Sequence, residues 1–372
     1  MSKRVIISGG GTGGHIFPAL AIARALQRLD KQVEILFVGA LGRMEMEKVP
    51  ASGYEIIGLD IQGIQRKSLW KNLFLPFKLI KSVMHARQII KKFKPDVAVG
   101  VGGYASGPLL FAAGNAKIPY LIQEQNSYAG LTNKWLAKKA AKICVAFEGM
   151  EAYFPKDKIL ITGNPIRQES VAIQDKRQEA AASFGLSADK KTILLTGGSL
   201  GAGTLNQAIK KDLQKIVAAD VQLIWQTGKF YYTAILQELG DQSAAGIKIL
   251  EFLNRMDLAY AMADLIISRA GAGTIAELCV VKKPVILVPS PNVAEDHQTK
   301  NAEALIQKDA ALLVKDTDAL VNLVPAALAL LKDEQKLASL SQHIARLAIS
   351  NADEIIAQEI FRLMNRKEGA WS

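Results

Sequence analysis

Two glycine loops of one kind stand about 190 residues apart, each where an apolar run hands over to a helical pattern. The first is Ser8-Gly9-Gly10-Gly11-Thr12-Gly13-Gly14-His15, after Val5-Ile6-Ile7. The second is Thr196-Gly197-Gly198-Ser199-Leu200-Gly201-Ala202-Gly203, after Ile193-Leu194-Leu195. Glycine lets the main chain turn sharply and approach a ligand closely. The helix that follows offers unpaired N–H groups and a positive dipole end to an anion. One such loop would be weak evidence, because turns and tight packing also use glycine. A pair predicts twin nucleotide-type α/β domains facing a shared cleft.

The rest of the chain keeps the same rhythm. Val5–Ser8, Val33–Val38, Asp96–Val101, Tyr120–Gln123 and Ile143–Ala146 read as strands, with helical patterns such as Ala19–Leu29 and Tyr128–Ala141 between them. In the second half the strands are Thr192–Thr196, Gln222–Gln226, Lys248–Glu251, Leu265–Ser268 and Val285–Val288, and Leu205–Ala218 and Thr274–Val281 are helical. Runs without strict alternation suit a parallel sheet covered on both faces. Alternating β and α elements then give two Rossmann-like, doubly wound domains. Gly163-Asn164-Pro165 is the turn signal that divides them. The expected layout is residues 1–164, then 165–340, then a helical tail over 341–372 that packs back on the first domain.

At 372 residues the chain exceeds the roughly 250–300 residues at which single cores stop growing, which also argues for two domains. No run of about 18 apolar residues occurs, and Asn322 and Pro325 interrupt the longest candidate, Ala319 to Leu331. Lys3-Arg4 leads straight into the first strand, so no cleavable signal is expected. Two cysteines, Cys144 and Cys279, are too few for a disulfide framework and fit a reducing cytoplasm. The net charge of +11 is uneven: residues 1–164 hold 23 Lys+Arg against 11 Asp+Glu, and the remainder holds 23 against 24.

That excess concentrates in Arg66–Lys94, which has nine Lys/Arg and no acid. Trp70, Phe74 and Phe77 are interleaved with Lys78, Lys81 and Lys91. A one-signed basic face beside aromatic and aliphatic residues describes an interfacial surface facing an anionic membrane leaflet. No RNA or DNA module accompanies it, so nucleic acid is not the expected partner.

Several motifs carry chemistry. Gly9-x-Gly11-x-x-Gly14 matches the dinucleotide spacing, but the second strand ends Phe37-Val38-Gly39-Ala40, without the acid that would hold a ribose. Neither glycine loop continues into Gly-Lys-Ser/Thr, which argues against ATP-driven phosphoryl transfer. His15 falls in the first helical turn after the loop, where the dipole favours a neutral, proton-accepting ring. Val99–Pro108 is a third glycine-rich strand-to-helix turn, and Gln123-Glu124-Gln125-Asn126 ends a strand with four polar residues. Burying those without a partner is costly, which marks a ligand site. Thr274 and Glu277 have capping-box spacing, so Glu277 serves either the helix or a ribose diol. Asp296-His297-Gln298 follows a later strand. Asp316-Thr317-Asp318 precedes a helix, where acids favour the N-terminus, and no His/Cys cluster suggests zinc, so no metal site is expected.

Taken in order, Gly10–His15, Gly102-Gly103-Tyr104, Glu124-Gln125-Asn126, Gly163–Arg167, Gly197-Gly198-Ser199 and Ala272–Glu277 resemble the MurG family of bacterial transferases. That family adds N-acetylglucosamine to lipid I to make lipid II, and the resemblance spans nearly the whole chain. It implies the GT-B architecture, UDP-N-acetylglucosamine as donor with no further cofactor, and undecaprenyl-linked lipid I as acceptor. It also implies a peripheral protein on the cytoplasmic face of the membrane. Carried over residue by residue, it places Thr12, Gly13, Gly14, Asn126, Arg167, Ser199, Leu253, Ala272, Gly273, Thr274, Ile275, Ala276, Glu277 and Gln298 around the donor. His15 is expected to be the general base, with Glu124 second, for one inverting displacement at the anomeric carbon. A UDP-sugar 2-epimerase of the same fold and a non-catalytic membrane-binding module are the alternatives.

Overall fold

The computed structural model describes residues 2–63, 75–198, 200–240, 246–293 and 296–365. Its strands are β1 (Arg4–Ser8), β2 (Glu34–Ala40), β3 (Glu55–Leu59), β4 (Val97–Gly100), β5 (Tyr120–Glu124), β6 (Lys142–Val145) and β7 (Ile159–Ile161), then β8 (Thr192–Thr196), β9 (Gln222–Gln226), β10 (Ile247–Leu250), β11 (Leu265–Ser268), β12 (Val285–Leu287) and β13 (Leu312–Leu313). They form a seven-stranded sheet, β3-β2-β1-β4-β5-β6-β7, and a six-stranded sheet, β10-β9-β8-β11-β12-β13. The pairings are parallel throughout. Both sheets bury their central strands on two faces, which is why Val5-Ile6-Ile7 and Ile193-Leu194-Leu195 need no polar alternation.

Strand order reverses beside β1 in one sheet and beside β8 in the other. Crossovers depart to opposite faces there, opening a crevice at the strand carboxyl ends. The first glycine loop leaves β1 and the third glycine turn leaves β4, its neighbour across the switch, with Ser8 in register with Gly100. The second loop leaves β8, whose Thr196 is in register with Ser268 of β11. Topology therefore gathers the glycine-rich segments at two switch points.

Several boundaries differ from expectation. The helix after the first loop starts at Gly13 and runs to Leu29 with Pro18 inside it, six residues before the expected Ala19. Its buried face, including Ile16, Leu20 and Ala23, supplies the packing that offsets glycine and proline. Tyr128–Ala141 shortens to a helix over Leu131–Leu136 followed by one tight turn over Ala137–Lys139. The edge strands β3, β7 and β13, absent from the sequence reading, are short or only half-buried and so lack a strong apolar signature.

One compact unit holds the chain up to Ile166 together with the segment from Ser350 onward, and the other holds Arg167–Ile349. The helix Glu334–Ala345 runs straight through position 341, and its Leu337 and Leu340 belong to the second core. The chain thus leaves the second unit about nine residues later than the expected boundary at 341. The final helix, Ala352–Asn365, buries Ile356, Ala357, Ile360 and Leu363 among Ile16, Leu20 and Val97 of the first core. Asp353, itself buried, takes an ion pair from Arg28 at 2.5 Å.

Candidate functional site

In the first unit, one peptide group organises the glycine loop. The carbonyl of Gly10 accepts a hydrogen bond from His15 Nδ1 at 2.9 Å. The N–H of the same peptide, on Gly11, donates to Oε2 of Glu45 at 2.8 Å. A carbonyl only accepts, so Nδ1 carries the proton of the neutral ring and Nε2 is the basic nitrogen. Glu45 is fully buried, and its Oε1 accepts the N–H of Ala40 at 3.0 Å. Burying a carboxylate costs several kcal/mol when uncompensated, and charge-assisted bonds to main-chain N–H groups return about 1.5–3 kcal/mol each. The chain makes room for this side chain with two glycines. A Cβ on Gly10 would collide with the carboxylate, and one on Gly39 would lie 2.6 Å from Glu45 Cγ.

The third glycine turn closes on the same loop. Gly10 N–H donates to Gly102 O at 3.3 Å. Gly102 has φ +99°, and a Cβ there would sit 2.8 Å from His15 Nε2. Any larger residue at 102 would be strained and would also press on the His15 ring. The ring of Tyr104 lies against Gly11 and Gly63.

Glu124, at the end of β5, has a different task. Its Oε1 accepts from the N–H and the side-chain amide of Asn126, at 3.1 and 3.3 Å. Its Oε2 accepts from Gly130 N–H at 3.1 Å and Asn133 Nδ2 at 2.8 Å. With four donors on two oxygens, the carboxylate holds the loop that carries Asn126, and positioning describes it better than proton abstraction. Beneath it, Gln125 Nε2 donates to Val101 O at 2.7 Å, and Gln123 Nε2 donates to Asn164 Oδ1 at 2.9 Å. The four polar residues in a row thus satisfy one another and fasten β5 to the β4 turn.

In the second unit, the loop after β8 is tied by neutral groups. Thr196 Oγ1 donates to Gln226 Oε1 at 2.5 Å and accepts from Gly198 N–H at 3.4 Å. Gln226 Nε2 donates to Gly198 O at 3.3 Å. The next helix, Gly203–Ala218, has Ala202 at its N-cap and no side-chain cap, so no side chain at the cap position takes its first-turn N–H groups. The helix after β11, Ala272–Val281, has Gly271 at its N-cap and likewise lacks a side-chain cap.

That start overturns the capping-box reading: Thr274 lies in the third helical position and Glu277 in the sixth, too far along to cap. Glu277 instead turns inward, where Tyr260 OH donates to it at 3.2 Å and Arg167 approaches at 3.4 Å. Burial raises its pKa, and the Arg167 guanidinium offsets part of that rise. Burial also pushes the Tyr260 hydroxyl well up, keeping it a donor. Gln298 Oε1 accepts from Ala270 and Ser290 N–H, at 3.2 and 2.9 Å, so the side chain ties the turn after β11 to the loop after β12. Leu253 is buried, so the loop after β10 has its main chain to offer there. Asp316 spends its carboxylate on Arg269 at 2.5 Å and Thr204 at 3.0 Å, bracing the second loop's helix from behind.

Within the first unit the structure brings Thr12, Gly13, Gly14 and His15 together at one strand-end turn, with Glu124 and Asn126 on the neighbouring one. Within the second it brings Arg167 to Glu277, and Ala272, Gly273, Thr274, Ile275 and Ala276 onto the same helix start, with Gln298 beside Ala270. Ser199 lies outside the described residues, as do Trp70 and Phe74.

Two family models cover most of the chain: the glycosyltransferase family 28 N-terminal domain over residues 5–145 and the corresponding C-terminal domain over residues 192–358. The chain belongs to glycosyltransferase family 28. A relative from Parabacteroides distasonis, a UDP-N-acetylglucosamine--N-acetylmuramyl-(pentapeptide) pyrophosphoryl-undecaprenol N-acetylglucosamine transferase, is 56% identical over 98% of this chain and 99% of its own length. One of the same name from Phocaeicola vulgatus is 57% identical over 98% and 97%. The crystal structure of Acinetobacter baumannii MurG superposes with a TM-score of 0.80 at 31% identity, covering 97% of this chain and 99% of that one. A UDP-GlcNAc 2-epimerase from Neisseria meningitidis, covering 97% and 100%, has a TM-score of 0.66 at 16% identity, a likeness of fold alone.

For a family 28 enzyme, the residue missed in the sequence was Glu45. β2 itself ends at Ala40 without an acid, whereas the chain folds back five residues later and returns the Glu45 carboxylate to that strand end. Tyr260 was missed too, since only the fold brings it to Glu277. The cysteines offer no rival nucleophile: burial raises both thiols, Cys279 to about 12.

The helix Leu75–Phe93 carries the described part of the basic segment. Ser82, Ala86, Ile89 and Ile90 form its buried side, and Phe77, Ile80 and Met84 stand exposed on the other. At 3.6 residues per turn, Lys81, Arg87 and Lys91 share that outer face. Lys78 is half-buried and paired with Asp60 at 3.3 Å. No helix among the described residues is long and apolar enough to cross a membrane.

Proposed function

We infer that this glycosyltransferase moves N-acetylglucosamine from UDP-N-acetylglucosamine to the C4 hydroxyl of N-acetylmuramic acid in lipid I, forming lipid II for peptidoglycan. The observation that carries this reading is 56% identity to transferases of that name over 98% of the chain. The second unit holds the donor. Glu277 receives the ribose hydroxyls, Gln298 donates its NH2 to the sugar, and Arg167 stays beside Glu277. Charge that grows on the departing UDP is met by the Gly197–Gly201 loop, Ser199 included, and by the open N-terminus of the helix Gly203–Ala218. Leu253 and the Ala272–Glu277 helix start complete the uridine contacts, while Thr12, Gly13, Gly14 and Asn126 meet the sugar. His15 Nε2 takes the acceptor's proton as the new C–O bond forms and the sugar–phosphate bond breaks, inverting the anomeric centre. The reading requires no cofactor beyond the donor.

Because the acceptor is lipid-linked, the enzyme works at a membrane surface. We assign that contact to the outer face of Leu75–Phe93, with Phe77, Lys81 and Lys91, with Lys78 at its margin beside Asp60, and with Trp70 and Phe74 of the preceding segment, against the anionic leaflet on the cytoplasmic side. The partners are thus the nucleotide sugar, lipid I and the leaflet, with no nucleic acid. Neutralising three lysines removes about 3 kcal/mol of leaflet attraction, roughly a 100-fold loss of binding. Flotation of K78Q/K81Q/K91Q with anionic vesicles reads this directly, and unchanged binding at low salt would remove the assignment. The activity itself is tested with labelled UDP-N-acetylglucosamine and a short-chain lipid I analogue. UDP release only when the acceptor is present is expected. Isomerisation of the donor without acceptor would instead identify an epimerase.

A further inference from the structure

We propose that Glu45 is a positioning residue for the base, acting on His15 through the single peptide group that joins Gly10 to Gly11. This rests on His15 being the proton acceptor. The geometry forms a continuous chain: the Glu45 carboxylate accepts the Gly11 N–H at 2.8 Å, and the carbonyl of that same peptide accepts His15 Nδ1–H at 2.9 Å. A carboxylate on its N–H pulls the peptide's electrons toward the carbonyl oxygen, which then becomes a stronger acceptor. A stronger acceptor at Nδ1 fixes the ring's tautomer and raises the basicity of Nε2. The peptide thus lies where a catalytic histidine would otherwise carry a carboxylate directly on Nδ1.

Three further observations support a built arrangement. Glu45 is fully buried, so its charge is little screened. Its second oxygen is pinned by Ala40 N–H at 3.0 Å, which fixes the carboxylate's orientation. Gly10 and Gly39 both leave out the Cβ that would displace it. Around the loop, the ring of Tyr104 from the β4 turn stands beside Gly11, and Glu124 commits both oxygens to its own loop. Neither lies on the path between Glu45 and the imidazole.

The test is the Glu45→Gln variant, which preserves shape and removes the charge, run beside His15→Ala. In E45Q, kcat is expected to fall about 10-fold, with the KM for UDP-N-acetylglucosamine changed by less than about twofold. The negative charge favours imidazolium, so its loss lowers the pKa of His15, and the acid limb of the kcat profile moves to lower pH. Histidine-selective 15N spectra, with His15 assigned by subtraction of H15A, should show the same downward shift at the ring. An inactive H15A together with an E45Q whose limb and ring titration match wild type would overturn the relay and leave the base intact. An active H15A would remove the base, and the E45Q ring titration would still judge the coupling. If E45Q fails to fold, the wild-type spectrum decides: a neutral ring protonated on Nε2 rather than Nδ1 would overturn the proposal.

Discussion

At the end of β1 the glycine loop gives its Gly11 N–H to a buried carboxylate, whereas the loop at the end of β8 is tied by Thr196 and Gln226, both neutral. Among the described residues no carboxylate bonds to the main chain of the second loop. Two unit charges about 7 Å apart at an effective dielectric near 20 interact by about 2–3 kcal/mol. On the proposed function, a diphosphate at such a separation would be repelled by the first loop's resident anion and met without that cost by the second loop. The same glycine spelling has been put to two uses. One loop holds a histidine beside a buried carboxylate, and the other is braced by neutral side chains.

The strongest way to break this contrast is to remove what the first loop holds. His15→Ala should lower kcat by about 100- to 10,000-fold while leaving the Kd for UDP unchanged in calorimetry. Weakened UDP binding in that variant would mean the loops are not divided as described. The next largest effect belongs to the second loop. A Cβ at Gly198 meets nothing within 4 Å, so Gly198→Asp fits sterically at φ +81°, and Gly198→Asn shares any backbone strain. Calorimetry should show UDP bound about 100-fold more weakly by G198D than by G198N. Equal affinities would contradict a phosphate role, and Thr12→Ala should leave UDP affinity within about twofold.

Glu277 sharpens the second unit's side of the comparison. Glu277→Ala should raise the KM for UDP-N-acetylglucosamine about 10-fold, through the lost charged hydrogen bonds, and change the acceptor's KM less. Equal shifts in both would contradict the ribose role. The smallest effect is on stability. Burial raises the Glu277 pKa in the folded state, so the folded protein binds this proton more tightly than the unfolded chain does. The group's favourable contribution is complete below the unfolded carboxyl value and is lost as pH rises through the folded one. Glu277→Gln should therefore melt higher than wild type at pH 7, with the gap closing as the pH is lowered past the ordinary carboxylate range. A gap that widens on acidification would show the opposite sign.

Much of the site was legible because the relevant signals are local. The glycine loops, His15 and the Gln123–Asn126 run are contiguous strings at strand ends, and a parallel sheet necessarily brings its strand ends to one edge. The helix starts were read several residues late, at Ala19 and Thr274, because glycine and proline lower propensity where tertiary packing nonetheless holds a helix. That same error produced the capping-box reading of Glu277. Glu124 was read as a candidate base from its neighbours, and only its four donors show that it holds a loop.

The sequence by itself determined two doubly wound units, the order of their more buried strands, and the residue types available at each switch point, since these follow from local periodicity and turn chemistry. Only the tertiary structure decided which charges meet. Glu45 reaches Gly11 across 34 positions, Tyr260 reaches Glu277 across 17, and Arg167 reaches it across 110. Those pairings arise from packing between elements, where a buried group must find a partner whatever its distance along the chain.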